Sequence, residues 1–433
     1  MLNTYQKRFQ ELLSALKPLL KNTSWLILEK LFRAVLALIV GAWVARYLGP
    51  ADFGKLAFVL ALTAFVQCIS YLALDGIVVR DIVESKIPAG GLIGTTIALR
   101  FLVGLVCWVT SVLAVALIYG VDNQLVVVTA LVSSTIVFQC ADTIDLWFQS
   151  QTQSFRTVFA KLVAHLLANG VKVLLILSKA SLVAFASVYA IDTVLTSIGL
   201  VLAYQKFKSP SLITVSMDLA RSLLAECWPY VLSAVAVATY MRIDQFLINY
   251  FLGAAKLGIY SVALPFSQVW YVIPMTIGVS LAPFITRKKI EGQQQYYRSL
   301  VLVFRWYSLI SLAISILISS CSYLIIQIVY GQQYSEAASV LAIHVFTNFF
   351  VFQNLAQGLW SINEKRGLLN TYQALVGAIS ACISGFILIP RLGLVGAAIS
   401  ANLAFAMSGV FSNLFFAPEI FQMQFGFMPK KLK

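Results

Sequence analysis

The sequence predicts an all-α integral membrane protein: twelve transmembrane helices in two six-helix lobes related as parallel repeats, with both termini cytoplasmic. Three observations predict it. The 433 residues are 60% hydrophobic and 11% charged, with mean hydropathy +0.87. A soluble domain carries about 25% charged residues, and this chain lacks the polar groups that a water-facing surface of its size needs. Apolar stretches of about 20 residues, enough for a helix to cross the hydrocarbon core, recur twelve times along the chain. Lys and Arg gather in alternate connections between those stretches, the pattern that sets membrane topology.

The elements follow in order. Residues 1–22, "MLNTYQKRFQELLSALKPLLKN", have no compact apolar core behind a short basic head and no small-residue cleavage site, so no signal peptide is expected. Tyr5, Phe9, Leu12, Leu16, Leu19 and Leu20 recur at helical spacing, with Lys7, Arg8, Glu11, Lys17 and Lys21 elsewhere. That pattern predicts an amphipathic helix on the cytoplasmic membrane surface. The spans are expected at 24–48, 55–80, 90–119, 125–148, 156–178, 181–204, 227–252, 257–285, 299–329, 336–361, 367–388 and 394–417. They divide into an N-lobe (23–205), a basic inter-lobe loop (206–226), a C-lobe (227–417) and a cytoplasmic tail (418–433). With the N-terminus inside, 19 Lys and Arg fall in inside segments and 5, namely Arg46, Lys55, Lys179, Lys256 and Arg391, in outside ones. The inside set includes Lys86, Lys208, Lys430, Lys431 and Lys433, and the connections 205–226 and 286–298 are cytoplasmic on this reading.

The repeat is read from two hairpins. "ARYLGPADFGKLAF" (45–58) interrupts the first apolar stretch with Gly49-Pro50 and restarts it at Gly54. Gly49 can end a helix in the left-handed conformation and Pro50 cannot continue one, while Gly54 lets the next helix begin close by. At an offset of 204, Leu48, Gly49, Ala51, Gly54 and Leu60 match Leu252, Gly253, Ala255, Gly258 and Leu264. Each hairpin opens a six-span block, and an even number of spans gives both blocks the same orientation. Gly49→Val is accordingly expected to reduce folded protein.

The short motifs that carry common enzymatic chemistry are missing. No GxxxxGK[ST], HExxH or GxSxG occurs, and there are two histidines, His165 and His344. The six cysteines, Cys68, Cys107, Cys140, Cys227, Cys321 and Cys382, stand singly in apolar runs and read as small buried hydrophobes. Neither an enzyme, a metal nor a cofactor is expected. The net charge of +14 lies mostly at the cytoplasmic rim, so it does not point to nucleic acid.

Charges inside the spans are costly, at least about 2.5–3.5 kcal/mol each, and default to function. The cations are Lys30, Arg33, Arg100, Lys161, Lys172, Arg242 and Arg305; the acids are Glu29, Asp75, Asp142, Asp145, Asp192 and Asp244. Glu29 and Arg33 stand at i,i+4 in the favourable order. Gln139, Asp142, Asp145 and Gln149 share one face of span 4; Lys161, His165 and Lys172 share one face of span 5. An Asp145–Lys161 ion pair is expected across the short connection between them. Arg100, His165, Lys172 and Asp192 have no evident local partner, while Arg242 and Asp244 form a pair. His344 reads as a packing residue, and spans 8, 11 and 12 carry no charge.

"ARYLGPADFGKLAF", "RIDQFLINYFLGAAKLGIYSVA", "YGQQYSEAASVLAI" and "LIPRLGLVGAAISANL", in this order and spacing, resemble the polysaccharide-type lipid-linked oligosaccharide flippases, often called Wzx or O-antigen transporters, of the multidrug/oligosaccharidyl-lipid/polysaccharide (MOP) superfamily. The resemblance covers nearly the whole chain. It implies alternating access and a polyprenyl-pyrophosphate-linked glycan moved from the inner to the outer leaflet of a bacterial cytoplasmic membrane, for O-antigen, capsule or exopolysaccharide. It also implies polysaccharide polymerase and chain-length proteins as partners of a monomeric carrier in contact with membrane lipid. It supplies no fixed substrate-binding motif. The substrate-path candidates are therefore the deep cations Arg33, Arg100, Lys172 and Arg242, since guanidinium suits phosphate. Asp192, Asp244, His165 and Asp75 are candidates for pairing with them or for titrating with a coupling proton. The alternative is a cation-coupled small-molecule exporter of the drug/metabolite-antiport type. A glycan polymerase would need a larger outside loop than this chain has, and a major-facilitator transporter would need a Gly- and Arg-rich loop that "RDIVESKIPAGG" lacks.

Overall fold

Helices account for nearly all of the described residues, and no strand occurs among them. The computed structural model describes residues 2–85, 87–207, 209–210 and 214–429, with side chains from Glu29 onward apart from Lys30 and Leu31. The amphipathic pattern of residues 1–22 and Lys30 lie outside the described side chains, and Lys86, Lys208, Lys430, Lys431 and Lys433 lie outside the described residues.

In chain order the helices are α1 (Leu2–Ser70), α2 (Asp75–Val83), α3 (Ala89–Tyr119), α4 (Gln124–Ser133), α5 (Thr135–Phe138), α6 (Thr143–Ser150), α7 (Phe155–Leu177), α8 (Leu182–Lys206) and α9 (Met217–Leu252). They continue as α10 (Ala254–Gln268), α11 (Val272–Glu291), α12 (Gln293–Tyr330), α13 (Ala337–His344), α14 (Thr347–Asn363), α15 (Gly367–Ala406), α16 (Asn413–Phe416) and α17 (Pro418–Gln424). Among the described residues these make ten helical stretches long and apolar enough to cross a membrane. Two of them, Phe32–Val83 and Gly367–Phe416, run for 52 and 50 residues. Each contains a glycine with non-helical backbone, Gly49 in α1 and Gly393 in α15, at φ +73° and +61°. The expected spans 1 and 2 fall on either side of Gly49, and 11 and 12 on either side of Gly393.

By contact the chain forms two units, Met1–Val40 with Val66–Pro229, and Gly41–Phe65 with Tyr230–Lys433. The hairpin around Gly49 thus belongs with the second unit, and its packing shows why. Gly49 and Gly253 share one conformation, φ +73° and +86° with ψ 171° in both. This is the extended positive-φ region that essentially only glycine occupies, and not the left-handed helical region expected from the sequence. Gly54 and Gly258 have another task. A Cβ on Gly54 would overlap the carbonyl of Ala254, and one on Gly258 would overlap the carbonyl of Pro50. The two hairpins therefore meet backbone to backbone, each glycine facing the start of the other's turn. Gly54 is needed for this approach more than for the start of its own helix.

Side chains complete the contact. The buried Tyr334 hydroxyl donates to the Ala45 carbonyl at 2.7 Å, and Gln333 Nε2 donates to the Arg46 carbonyl at 3.1 Å. Around them Ala45, Leu257, Tyr260, Ala263, Val340 and Ala397 are almost wholly buried.

Candidate functional site

Several helical stretches are interrupted, and similar interruptions lie about 200 residues apart. After α1, Leu72 and Ala73 take φ +55° and +49°, and α2 resumes at Asp75. About two hundred residues later, a 3-10 turn at Val269–Tyr271 and Pro274 interrupt the stretch formed by α10 and α11. The stretch from α4 to α6 passes through a 3-10 turn at Gln139–Asp142, and that from α13 to α14 breaks at Val345 and Phe346. Interrupted segments at corresponding positions of two halves mark ligand sites in many transporters, because the freed backbone groups need polar partners.

In the first unit the partner is Arg100, in α3 and 2% exposed. One terminal nitrogen donates to Asp75 Oδ1 at 2.6 Å and to the Tyr71 carbonyl at 3.1 Å; the other donates to Thr143 Oγ1 at 3.2 Å. The guanidinium also lies 5.3 Å from the Tyr71 ring centre. The Tyr71 hydroxyl in turn donates to Asp142 at 3.0 Å, and Gln67 Nε2 donates to Gln139 at 2.6 Å. One fork thereby ties the break after α1 to the break before α6. Arg100 Nε is buried without a hydrogen-bond partner. Asp75 differs in environment: its side chain is 64% exposed.

In the second unit the breaks are joined by hydroxyl, carboxamide and imidazole groups. Ser267 and His344 Nδ1 share a hydrogen bond of 2.8 Å. Asn348 Nδ2 donates to the carbonyls of Ser267 and Val345 at 2.9 and 2.8 Å, and Ser315 donates to the Val345 carbonyl at 3.0 Å. Tyr271 and Thr347 hydroxyls lie 3.1 Å apart. His344 is thus the packing residue expected, set edge-on to Tyr260.

The expected charges fall into place unevenly. Glu29 and Arg33 pair at 3.1 Å, and Lys161 and Asp145 at 2.7 Å, as their spacing predicts. Asp145 also accepts from Thr157 and from Gln149. Arg33 remains half exposed. Arg100, His165, Lys172 and Asp192, which have no evident local partner in the sequence, find partners across helices. Arg100 has Asp75; His165 Nδ1 and Asp192 lie 3.1 Å apart between α7 and α8; Lys172 sits 4.3 Å above the Tyr189 ring. Their partners come from neighbouring helices, which spacing along one helix cannot show. The expected Arg242–Asp244 pair is likewise corrected. Residues at i,i+2 do not face each other on a helix. Asp244 instead accepts from the Tyr260 hydroxyl and the Gln245 amide. Arg242 has no hydrogen bond and no carboxylate within 4 Å among the described residues, although Asp244 and Tyr271 remain within electrostatic reach.

One buried polar group has no charge to mark it in the sequence. Gln357 donates to Gln373, Gln373 to Asn413 and Asn413 back to Gln357, at 2.8, 2.7 and 2.8 Å, all three buried. This closed ring of carboxamides abuts the π-helical turn Met407–Phe411, whose Gly409 carbonyl accepts from Gln424 at 2.7 Å. Amides in spans otherwise free of charge were the available signal. A fully satisfied buried polar network specifies one packing arrangement.

The Lys161–Asp145 pair gives a direct test of these assignments. Lys161→Met leaves a buried carboxylate without its cation, a loss of about 3–5 kcal/mol. Adding Asp145→Asn is expected to recover most of that loss in detergent melting curves. A double variant no more stable than Lys161→Met contradicts the pairing.

The helical fold is similar to that of solved membrane transporters. An inward-facing multidrug resistance MATE family transporter of the MOP superfamily aligns with TM-score 0.70 and 14% identity, covering 90% of this chain and 95% of that one. The lipid II flippase MurJ, in an inward closed conformation, aligns with TM-score 0.72 and 13% identity, covering 92% and 89%. A MOP superfamily transporter from Pyrococcus furiosus aligns with TM-score 0.57 and 15% identity, covering 94% of each chain. Identities this low establish the fold alone. The sequence itself matches the family described as polysaccharide biosynthesis protein over residues 19–289, more than half of its length, and the chain belongs to that family. The resemblance read from the four motifs is borne out. A comparison with curated protein sequences gives no match.

Proposed function

We propose that the protein is a flippase that moves polyprenyl-pyrophosphate-linked oligosaccharide from the inner to the outer leaflet of a bacterial cytoplasmic membrane, by alternating access. The observation that carries this reading is the family match over residues 19–289 on a fold that a lipid II flippase also uses. Twelve crossings are proposed, counting Phe32–Val83 and Gly367–Phe416 as two each. The proposed lobes are 23–205 and 227–417, with both termini cytoplasmic. The substrate pyrophosphate requires cations in a polar environment. Arg100, with a free buried Nε, and Arg242, without a counter-ion within 4 Å, suit that need best among the four candidates. Lys172 is held by Tyr189 and half-exposed Arg33 by Glu29, so both are assigned supporting roles. His165, Asp192 and Asp244 are the candidates for proton coupling. The monomer works beside polysaccharide polymerase and chain-length proteins, on O-antigen, capsule or exopolysaccharide units. The alternative, a small-molecule exporter, has the likeness to a multidrug transporter behind it but not the family match.

Deletion of the gene is expected to abolish surface polysaccharide and to accumulate lipid-linked repeat units on the cytoplasmic side. Unchanged surface polysaccharide, with no such accumulation, overturns the function. Topology has its own test. In a background without the six native cysteines, a cysteine at position 292, between α11 and α12, is expected to resist an impermeant thiol reagent until the cells are lysed. One at Lys256 is expected to react in intact cells. The reverse pattern inverts the proposed orientation.

A further inference from the structure

We propose that the end of the α7–α8 hairpin carrying Arg156 and Lys206 is a binding site for an anionic phospholipid of the surrounding membrane, separate from the transported substrate. A groove of about 460 Å³ opens there between the two helices, lined by Arg156, Phe159, Leu162, Leu202, Lys206 and Phe207 among others. Phe159 is 72% and Leu202 59% exposed, so the groove opens on an apolar surface that faces hydrocarbon. Arg156 begins α7 and Lys206 ends α8, which places both cations at the same membrane edge.

The cations are what select the occupant. The Arg156 guanidinium is stacked 4.0 Å above the Phe207 ring, which holds it at the mouth of the groove. Its Nε is buried and has no hydrogen-bond partner. Arg80, Lys161, Lys256, Lys288 and Lys289 each have a carboxylate within 4 Å. Among the described residues neither Arg156 nor Lys206 has one. Two unneutralised cations above an apolar groove match a lipid phosphate above an acyl chain. A net negative headgroup is preferred over a zwitterionic one, whose own ammonium offsets the attraction. Because the groove opens to bulk lipid, an abundant phospholipid reaches it without entering a transport path.

The test uses purified full-length protein and native mass spectrometry, with phosphatidylglycerol and phosphatidylcholine of matched chains added in equal amounts. The wild type is expected to retain phosphatidylglycerol preferentially. Each of Arg156→Gln and Lys206→Gln is expected to reduce the preference about fivefold, and the two together about 25-fold. Arg156→Lys is expected to keep most of it, and Lys179→Gln, at the opposite end of the hairpin, all of it. Should the double variant not fold, Lys206→Gln alone decides, since that residue is exposed at a helix end. Equal retention of both lipids by the wild type overturns the proposal, as does a preference unchanged in the variants. Displacement of phosphatidylglycerol by equimolar polyprenyl pyrophosphate also overturns it, by assigning the groove to the substrate.

Discussion

Gly54→Ala is expected to destabilise the protein by about 3 kcal/mol or more, at or beyond the upper end of ordinary overpacking costs. Its added methyl would meet the carbonyl of Ala254, which is backbone and cannot rotate aside. Gly258→Ala meets the carbonyl of Pro50 in the same way. The double variant is expected to cost little more than either single one, because one methyl already forces the hairpins apart and adjoining sites are not additive. Gly49→Ala is the control. Nothing lies within 4 Å of a Cβ there, so its cost is backbone strain alone, about 1–3 kcal/mol. Melting curves in detergent at matched purity check all four. Wild-type stability for Gly54→Ala, or fully additive losses in the double variant, contradicts the backbone contact.

Arg100 carries the second large effect. Its fork holds the Tyr71 carbonyl, Asp75 and Thr143 together, and of these only the Tyr71 carbonyl is a backbone group. Arg100→Ala is expected to remain folded, to lose about 1–3 kcal/mol for the carbonyl left unpaired, and to abolish surface glycan in a deletion strain. Arg100→Lys is expected to fail as well, because an ammonium cannot reproduce a planar fork reaching three acceptors. Asp75→Asn is expected to retain most display, since that side chain is largely exposed and an amide can still accept from Arg100. The double variant Arg100→Ala/Asp75→Asn separates two roles. If Arg100 served only to neutralise Asp75, the double variant would regain display; continued failure at matched expression supports a role in the path itself.

Much of the molecule was legible along the chain. Helical content, apolar stretches, the glycine turns at Gly49 and Gly253 and the pairs Glu29–Arg33 and Asp145–Lys161 follow from composition or short spacing. Each depends on residues within a turn or two, or on either side of a short connection, so local periodicity contains the information. The family was legible too, because several turns in fixed order are specific when no one of them is.

The rest was decided by contacts between distant segments. Tyr334 lies 289 residues from the Ala45 carbonyl that it binds, and Gln373 lies 40 from Asn413. The true need for Gly54 and Gly258, two backbones in contact, exists only once both hairpins are folded. Arg242 and Asp244 show the converse: nearness in sequence suggested a pair that helix geometry forbids. The sequence by itself determined which segments are helices and which charges must be accommodated in an apolar setting. Only the tertiary structure decided which polar group satisfies which. A charge or a freed carbonyl in hydrocarbon must find a partner, and that partner can come from any helix packed beside it.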